Sequence, residues 1–301
     1  MERSVVLLGA GGIGETHLKA LSRTAGLRAA AVADIQFERA ARLAETYGLK
    51  PYADYGEMLA EQKPDIAIVA LPHFLHREAA VRCLEAGCHL LLEKPMAMTA
   101  AECDEIVEHA ERRGLIVLVG HTQQYLPHNR AAKALMLAER ASLGKLVQIN
   151  DVRYGPYFTP NRPRWFLDRA KSGGGIVANL GAHAIDKIQW LTDSRIRRVR
   201  ARLSFEAPDY PDIEGSAAML FETDSGVACT VSLGGYEGVW RQETDLLFTG
   251  GMIRIRSHEG LWIARRGQCE EVPVEKGEDP YVLQLSDLAE CIRRNAQPYA
   301  S

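Results

Sequence analysis

Short apolar runs alternate with amphipathic stretches over the first part of the chain. Val5–Leu8 and Ala29–Ala33 are such runs, and residues of helical spacing lie between them. Strand-like runs recur at Ile66–Ala70 and His89–Leu92, again with helical patterns between them. Continuous apolar strands that alternate with helices indicate a parallel sheet covered on both faces. We therefore expect an α/β domain with a parallel sheet over residues 1–122.

Beyond residue 122 the hydrophobic period changes. From Arg195 to Val274 polar and apolar residues alternate one by one, with turn signals between the runs, which is typical of antiparallel strands. Helical patterns are confined to three stretches, Asn129–Ala141, Ile176–Thr192 and Tyr281–Asn295. We expect an α+β domain over residues 123–301 with an open-faced, mainly antiparallel sheet. Because few helices remain to cover that sheet, one of its faces is a candidate subunit interface.

Composition narrows the class of protein. The 301 residues are 47% hydrophobic and 25% charged, with a formal net charge of −3, which argues against a nucleic-acid-binding surface. No apolar run has the length of a membrane span. Met1–Arg3 leads directly into the first strand, so we expect no signal peptide. The six cysteines form no C-x-x-C pair, from which we expect free thiols in a cytoplasmic protein.

A glycine-rich turn follows the first strand at once: Gly9, Ala10, Gly11, Gly12, Ile13 and Gly14. The strand, the turn and the helix after it form the context in which G-x-G-x-x-G binds a dinucleotide, with phosphates at the helix N-terminus. Asp34 ends the second strand, 34 − 14 = 20 residues after Gly14, where a carboxylate binds the adenosine ribose. It would repel a 2′-phosphate, which favours NAD over NADP, although Arg39 weakens that preference. The alternative is a turn that binds nothing.

Lys94 and His183 are the candidate catalytic residues. Lys94 follows the strand His89–Leu92, at the edge where ligands bind such a sheet, and Pro95 after it could form a cis peptide bond. A lysine there can stabilise a developing alkoxide, but it can equally be an ordinary surface lysine. His183 lies four residues after Asn179, on one face of the predicted helix. Histidine can take a hydroxyl proton near neutral pH, but a buried structural histidine has the same signal.

Other polar and aromatic residues are weaker candidates. His73 and His76 begin a predicted helix, but no third ligand at suitable spacing appears, so we expect no metal and assign them to the cofactor cleft. Aromatic loop residues could wall a sugar ring or form a small core. They are Tyr154, Tyr157, Trp165 and Tyr236.

Five segments together resemble one known family. They are GAGGIG at residues 9–14, AVAD at 31–34, ALPHFLH at 70–76, AGCHLLLEKPMA at 86–97 and GGGIVANLGAHAIDKIQWL at 173–191. Over essentially the whole chain, these motifs resemble the glucose–fructose oxidoreductase and inositol dehydrogenase (Gfo/Idh/MocA) family. The EKP segment and the segment from the three glycines into the helix are specific, whereas many dehydrogenases share the glycine motif.

The resemblance implies a Rossmann domain, an open-faced sheet domain that forms homodimers or homotetramers, and NAD(P)-dependent redox chemistry on sugars, cyclitols or related polyols. It implies that Lys94 and His183 are catalytic, with Asn179 beside them. The implied cofactor residues are Gly9, Gly11, Gly12, Ile13, Gly14, Asp34, Leu71, Pro72, His73, His76, Glu93 and Lys94. The implied substrate residues are Lys94, Gln124, Tyr154, Trp165, Asn179 and His183.

Two positions depart from the family pattern. Asn179 stands where the family usually has Asp, and a neutral amide can orient a hydroxyl or an imidazole but cannot stabilise an imidazolium by charge. Gln124 lies in a segment, Gly120–Tyr125, where relatives often carry Arg, which points to a different substrate preference.

The sequence therefore predicts an NAD-dependent oxidoreductase that moves hydride between nicotinamide and a ring carbon bearing a hydroxyl. In this hypothesis His183 is the general acid/base, Lys94 polarises the reacting oxygen and Asn179 orients one of them. Two alternatives stay open: an NAD-dependent glycosidase of the same family, and a non-catalytic NAD-binding sensor, which the Asn179 departure supports.

Overall fold

The computed structural model describes residues 2–257 and 259–299. The chain forms two compact units. The first contains the residues up to Thr122 and the segment from Glu278 onward, and the second contains Gln123–Gly277.

The first unit is built on a six-stranded parallel sheet. Its strands are β1 Arg3–Leu8, β2 Leu27–Ala33, β3 Lys50–Tyr52, β4 Ile66–Val69, β5 His89–Leu92 and β6 Val117–Val119. The order is β3-β2-β1-β4-β5-β6, so the chain reverses direction across the sheet between β1 and β4. Ligands of such sheets bind outside the carboxyl ends of the strands at this reversal. The predicted parallel α/β domain is confirmed.

Alternate residues of each strand enter two separate cores. Val5 and Leu7 of β1 pack in one core, and Val6 and Leu8 pack in the other. The helices that cover the faces are α1 Gly12–Leu21, α2 Phe37–Tyr47, α3 Tyr55–Gln62, α4 His76–Glu85 and α5 Ala100–Arg113. The capping box predicted at the start of α5 is present, since Thr99 accepts from the Glu102 N–H and the Glu102 carboxylate accepts from the Thr99 N–H.

One predicted domain assignment is wrong. The last helix of the chain, Pro280–Arg294, belongs to the first unit and packs on α1, whereas we expected it within the second domain. Val282, Leu285 and Leu288 are buried in the same core as Leu18 of α1. Sequence order suggested a neighbour from the second domain, but the apolar stripe of this helix completes the core of the first.

The second unit contains an eight-stranded mixed sheet of order β14-β13-β12-β11-β7-β10-β9-β8. Its strands are β7 Leu146–Tyr154, β8 Ile196–Ser204, β9 Ser216–Thr223, β10 Ala228–Gly234, β11 Arg241–Phe248, β12 Gly251–Arg256, β13 Gly260–Arg265 and β14 Gln268–Glu271. Its helices are α6 Pro127–Ala138, α7 Arg140–Leu143, α8 Arg169–Ser172 and α9 Ala182–Thr192, so the last helix of the chain is α10. Among the described strands of this sheet, β7 and β10 pair in parallel and all other neighbours pair antiparallel, which confirms the predicted mainly antiparallel sheet.

A buried charge cluster joins α9 to the middle of this sheet. Asp151 of β7 is ion-paired with Lys187 of α9 at 2.5 Å and with Arg153 at 3.0 Å, and it accepts from the Thr244 hydroxyl at 2.8 Å. Burial alone raises the pKa of Asp151, but the two cations and these hydrogen bonds outweigh it and lower the pKa to about 2. Asp151 is therefore a buried anion that fixes α9 over β7.

We expect Leu285→Ala in α10 to destabilise the first unit. The substitution removes a fully buried side chain from the core, at a cost of about 2–5 kcal/mol in the free energy of unfolding. Leu137→Ala in α6 is the control, because that side chain is 69% exposed and its loss should change stability by about 0.5 kcal/mol or less. Urea unfolding measures both, and equal midpoints for the two variants would contradict the packing of α10.

Candidate active site

Two glycines of the turn after β1 are required by close backbone packing. Gly9 has a φ of +99°, and a Cβ atom built there would lie 2.4 Å from the Ala70 carbonyl oxygen. A Cβ on Gly14 would lie 2.1 Å from the Gly9 carbonyl oxygen and 3.2 Å from Leu7 Cδ2 of β1. The turn therefore brings α1 against the sheet as predicted.

Gly11 and Gly12 lie at the open side of the same turn. A Cβ on either would have no described protein atom within 4 Å. Gly11 is the N-cap of α1, and no described side chain caps this helix end. Uncapped N–H groups and the positive end of the helix dipole suit an anionic phosphate. This cradle fits the pyrophosphate of a dinucleotide.

Asp34 lies at the carboxyl end of β2 beside this turn. Its carboxylate accepts the Ala10 N–H at 2.8 Å through Oδ2 and the Gln36 N–H at 2.8 Å through Oδ1. These two bonds fix the carboxylate relative to the glycine turn. Each oxygen retains a lone pair that a ribose hydroxyl can use.

The structure buries several residues that we expected at the cofactor surface. Leu71 and Pro72 are partly exposed after β4, but His73 and His76 are buried. The His76 ring lies 2.8 Å from the Leu71 carbonyl through Nε2 and 2.8 Å from the Pro95 carbonyl through Nδ1. Burial lowers the pKa of His76 although both contacts favour its charged form. The His76 ring therefore connects the segments after β4 and β5, and its contact with a cofactor stays a prediction.

Glu93 is also turned into the protein. Its Oε1 lies 2.8 Å from Nε2 of His17 in α1, and its Oε2 accepts the Lys94 N–H at 3.2 Å. Burial raises the pKa of Glu93, but the contacts with His17 and the charge of Lys94 outweigh it, so the pKa lies below its usual value. The side chain that we assigned to the cofactor surface is instead an internal anion.

Lys94 is partly exposed at the carboxyl end of β5, and the Lys94–Pro95 peptide bond is cis, as the sequence suggested. His121 follows β6 nearby. Burial first, and then the positive charge of Lys94, lower the pKa of His121 to about 4, so it is neutral at physiological pH. Sequence reasoning missed both His17 and His121, which carry no motif signal of their own.

In the second unit, Asn179 and His183 lie where one helix type changes into another. We expected a single helix over Ile176–Thr192, but Val177–Gly181 is a π-helical turn that continues into α9. π-Helical turns are rare and are frequent at functional sites. Four residues are about one turn in either geometry, so Asn179 and His183 lie on the same side, and both are partly exposed.

The start of this helix is fixed by a distant carboxylate. Glu214, buried before β9, accepts the Gly175 N–H at 2.6 Å and the Val177 N–H at 3.1 Å. A Cβ on Gly175 would lie 2.3 Å from the Glu214 carbonyl oxygen, so a larger residue does not fit. Gly174 and Gly175 therefore allow the chain to approach Glu214, a contact that local sequence patterns could not reveal.

The other predicted substrate residues are dispersed in the second unit. Gln124 is buried, and its Nε2 has no hydrogen-bond partner among the residues that the structure describes. Trp165 lies on the helical turn Arg164–Leu167 and stacks on Phe166 with centroids 3.7 Å apart. Its role stays a prediction.

Tyr154 requires a correction. Its neighbour Arg153 points to the face of the sheet that carries α9, so Tyr154 points to the opposite face, where its hydroxyl lies 3.0 Å from Ser232 Oγ. The structure does not bring Tyr154 together with Asn179 and His183.

Asp186 is a buried acid that sequence reasoning also missed. It lies three residues after His183 on α9 and is 8% exposed. Burial raises its pKa to about 7, while the positive charge of Arg153 opposes the rise. The H-x-x-D spacing on a helix was the signal that could have identified it.

The described residues lack two other kinds of feature. They contain no group of three or more His, Cys, Asp or Glu side chains arranged to hold a metal ion. None of their helices combines the length and apolar character that crossing a bilayer requires.

Comparisons with known proteins agree with this architecture. The family model described as "Oxidoreductase family, NAD-binding Rossmann fold" matches residues 3–121. The model of the GFO/IDH/MocA C-terminal domain matches residues 130–254. Together the two models cover most of both units.

Individual relatives are distant. The chain is 26% identical to 4-carboxy-2-hydroxymuconate-6-semialdehyde dehydrogenase of Sphingobium sp. (strain SYK-6), over 99% of this chain and 92% of that protein. It is 28% identical to inositol 2-dehydrogenase 2 of Saccharopolyspora erythraea, over 77% of this chain and 67% of that protein.

A solved structure of levoglucosan dehydrogenase with NADH and levoglucosan superposes with a TM-score of 0.91 at 19% identity. The superposition covers 100% of this chain and 92% of that one. At this identity the likeness shows the fold. With both family models matched, the chain belongs to the Gfo/Idh/MocA family of oxidoreductases, and its first unit is that family's NAD-binding Rossmann domain.

Proposed function

We propose that the protein is an NAD-dependent dehydrogenase that acts on a ring hydroxyl of a sugar, cyclitol or related polyol. The observation that carries the proposal is the carboxyl edge of the parallel sheet. Three features lie at the ends of strands of this one sheet: the open glycine turn after β1, the fixed Asp34 carboxylate after β2 and Lys94 after β5. Inositol 2-dehydrogenase 2 is a relative whose name fits this substrate class.

The residues of the chain have distinct roles in this proposal. The nicotinamide, when bound, accepts the hydride that leaves the substrate carbon. Lys94 donates a hydrogen bond to the reacting oxygen and stabilises negative charge on it. His183 takes the hydroxyl proton, and Asn179 orients the hydroxyl or the imidazole by hydrogen bonding. An amide at position 179 cannot compensate the charge of the imidazolium, so His183 must form its charged state without that help.

A non-catalytic NAD-binding sensor is the second candidate, and the Asn179 departure is the observation that favours it.

We further propose that the protein is cytoplasmic and forms homodimers or homotetramers through the outer face of the second sheet. The outer face is the one opposite the core with α9. The side chains of Asn150, Tyr154 and Leu220 lie on it.

We expect Lys94→Ala and His183→Ala each to lower kcat by about 10²–10⁴-fold, because each removes a group that acts only as charge develops. NADH affinity, measured by fluorescence titration, should change little. Lys145→Ala is the control, since that lysine is exposed before β7 and has no role in the proposed chemistry. Full turnover in both active-site variants would contradict the dehydrogenase assignment. Wild-type protein that binds NADH but oxidises no polyol would favour the sensor.

We expect Gly11→Ala to weaken NADH binding by about tenfold or more without loss of stability. No atom of the described residues lies within 4 Å of the added methyl group, which would instead occupy the space in front of the helix N-terminus. Gly238→Ala is the matched control, because its added methyl group likewise has no described atom within 4 Å and lies in the loop after β10. In the wild type, NADH should bind more tightly than NADPH. Equal NADH affinity in both variants would contradict the proposed phosphate cradle.

We expect Leu220→Asp to convert the oligomer to monomers in analytical ultracentrifugation. Leu220 is 50% exposed on the outer face of β9, and a buried interfacial carboxylate without a partner is costly. Leu137→Asp, on the exposed side of α6, should leave the oligomer unchanged. Monomeric wild-type protein, or an intact oligomer of the Leu220 variant, would contradict this interface.

A further inference from the structure

A buried histidine–carboxylate pair lies directly behind Lys94. His17 is completely buried in α1, and its Nε2 lies 2.8 Å from Oε1 of Glu93, which is 7% exposed. Glu93 Oε2 accepts the backbone N–H of Lys94 at 3.2 Å. One carboxylate therefore connects the phosphate-binding helix to the backbone of the proposed catalytic lysine.

The hydrogen bonds that His17 and Glu93 make indicate the charge of this pair. His17 donates to Glu93 through Nε2, whereas its Nδ1 is buried and has no partner among the described residues. A proton on Nδ1 would be a buried donor without an acceptor, so the neutral ring with its hydrogen on Nε2 is favoured. Each oxygen of the Glu93 carboxylate accepts a hydrogen bond, Oε1 from His17 and Oε2 from the Lys94 N–H, which favours the ionised form of Glu93. The pair carries one net negative charge next to the Lys94 ammonium.

Neighbouring groups confine the pair. The Tyr281 ring of α10 meets the His17 ring edge-on, with centroids 5.3 Å apart. Burial, and then the charge of Glu93, raise the pKa of Tyr281 to about 12, so it is neutral. A Cβ on Gly120 would lie 3.0 Å from the Glu93 carboxylate, so glycine is what allows Glu93 this position. His121 and His76 also interact electrostatically with Lys94, and burial lowers the pKa of each.

We propose that His17 is a positioning residue for Lys94: through the Glu93 carboxylate it holds the backbone at Lys94 and keeps a negative charge beside the Lys94 ammonium. This inference rests on the proposed role of Lys94. It assigns to α1 a second task besides phosphate binding. The helix also determines the place and the charge of the group that acts on the substrate oxygen.

Three variants distinguish the effect of the His17–Glu93 hydrogen bond from the effects of side-chain volume and of the Glu93 charge. His17→Leu removes the donor, so the buried carboxylate loses its compensation and becomes protonated. We expect kcat to fall by about tenfold to a hundredfold and the alkaline limb of its pH profile to move about one unit lower. Glu93→Gln removes the charge at constant volume and should move the limb in the same direction. His17→Gln keeps a donor and should restore most of the activity. His89→Leu, at the other end of β5, is the control and should move neither quantity.

A second measurement requires no bound cofactor. Lysines of the cofactor-free protein are dimethylated with ¹³C-formaldehyde, the Lys94 signal is identified by its absence in Lys94→Arg, and its chemical shift is titrated. The pKa of Lys94 should be about one unit lower in His17→Leu and Glu93→Gln than in the wild type. If His17→Leu does not fold, the isosteric Glu93→Gln still provides the test.

The outcomes distinguish this inference from the proposed function. Inactive Lys94→Ala, together with unchanged pH profiles and Lys94 titrations in the His17 and Glu93 variants, overturns the positioning role alone. Equal losses in His17→Leu and His17→Gln without a shifted profile would also overturn it. Active Lys94→Ala removes the proposed function, whereas a lowered Lys94 titration would still support the electrostatic coupling.

Discussion

The approach of α1 to the sheet is the constraint on which the first unit depends. It exists because two residues have no side chain: the Gly9 carbonyl occupies the space that a Cβ of Gly14 would take, and Gly9 itself lies against the Ala70 carbonyl. Close packing places the helix N-terminus at the carboxyl ends of β1 and β4, where phosphate can be bound. The same approach brings His17, one turn farther along the helix, within hydrogen-bond distance of Glu93 after β5. The short glycine turn therefore determines the position of the proposed phosphate site and also the contact between His17 and Glu93.

In the second unit, buried carboxylates hold the segment that carries Asn179 and His183 in place, whereas close backbone packing positions α1 in the first unit. Asp151 lies on the middle strand and holds Lys187 of α9, while Glu214 binds the N–H groups at the start of the preceding π-helical turn. One acid thus fixes each end of the segment that carries Asn179 and His183. Removing one partner from such a buried pair is costly because the other charge remains in a medium of low polarity. These contacts restrain the segment, as the proton transfer proposed for His183 requires.

The sequence predicted well what depends on local pattern. Strand β5 and the capping box of α5 were predicted at the correct residues, because apolar runs and capping chemistry are short-range signals. It failed where partners are distant along the chain. The internal partners of Glu93 and His76 were not predicted: Glu93 contacts His17, which lies 76 residues away, and the His76 ring contacts the Leu71 and Pro95 carbonyls. The orientation of Tyr154 depended on strand register, and the π-helical turn depended on Glu214.

The return of α10 to the first unit makes the second unit an insertion within the first. During synthesis on the ribosome, β1 to β6 emerge early, yet the apolar stripe that completes their core is made only after all of the second sheet. The early segment must therefore wait, with Leu18 and its neighbours incompletely covered, until Pro280–Arg294 leaves the exit tunnel. Because of this connectivity, the complete core of the first unit cannot form before the second unit has been synthesised. The second unit, which is continuous in the chain, is the one able to fold first.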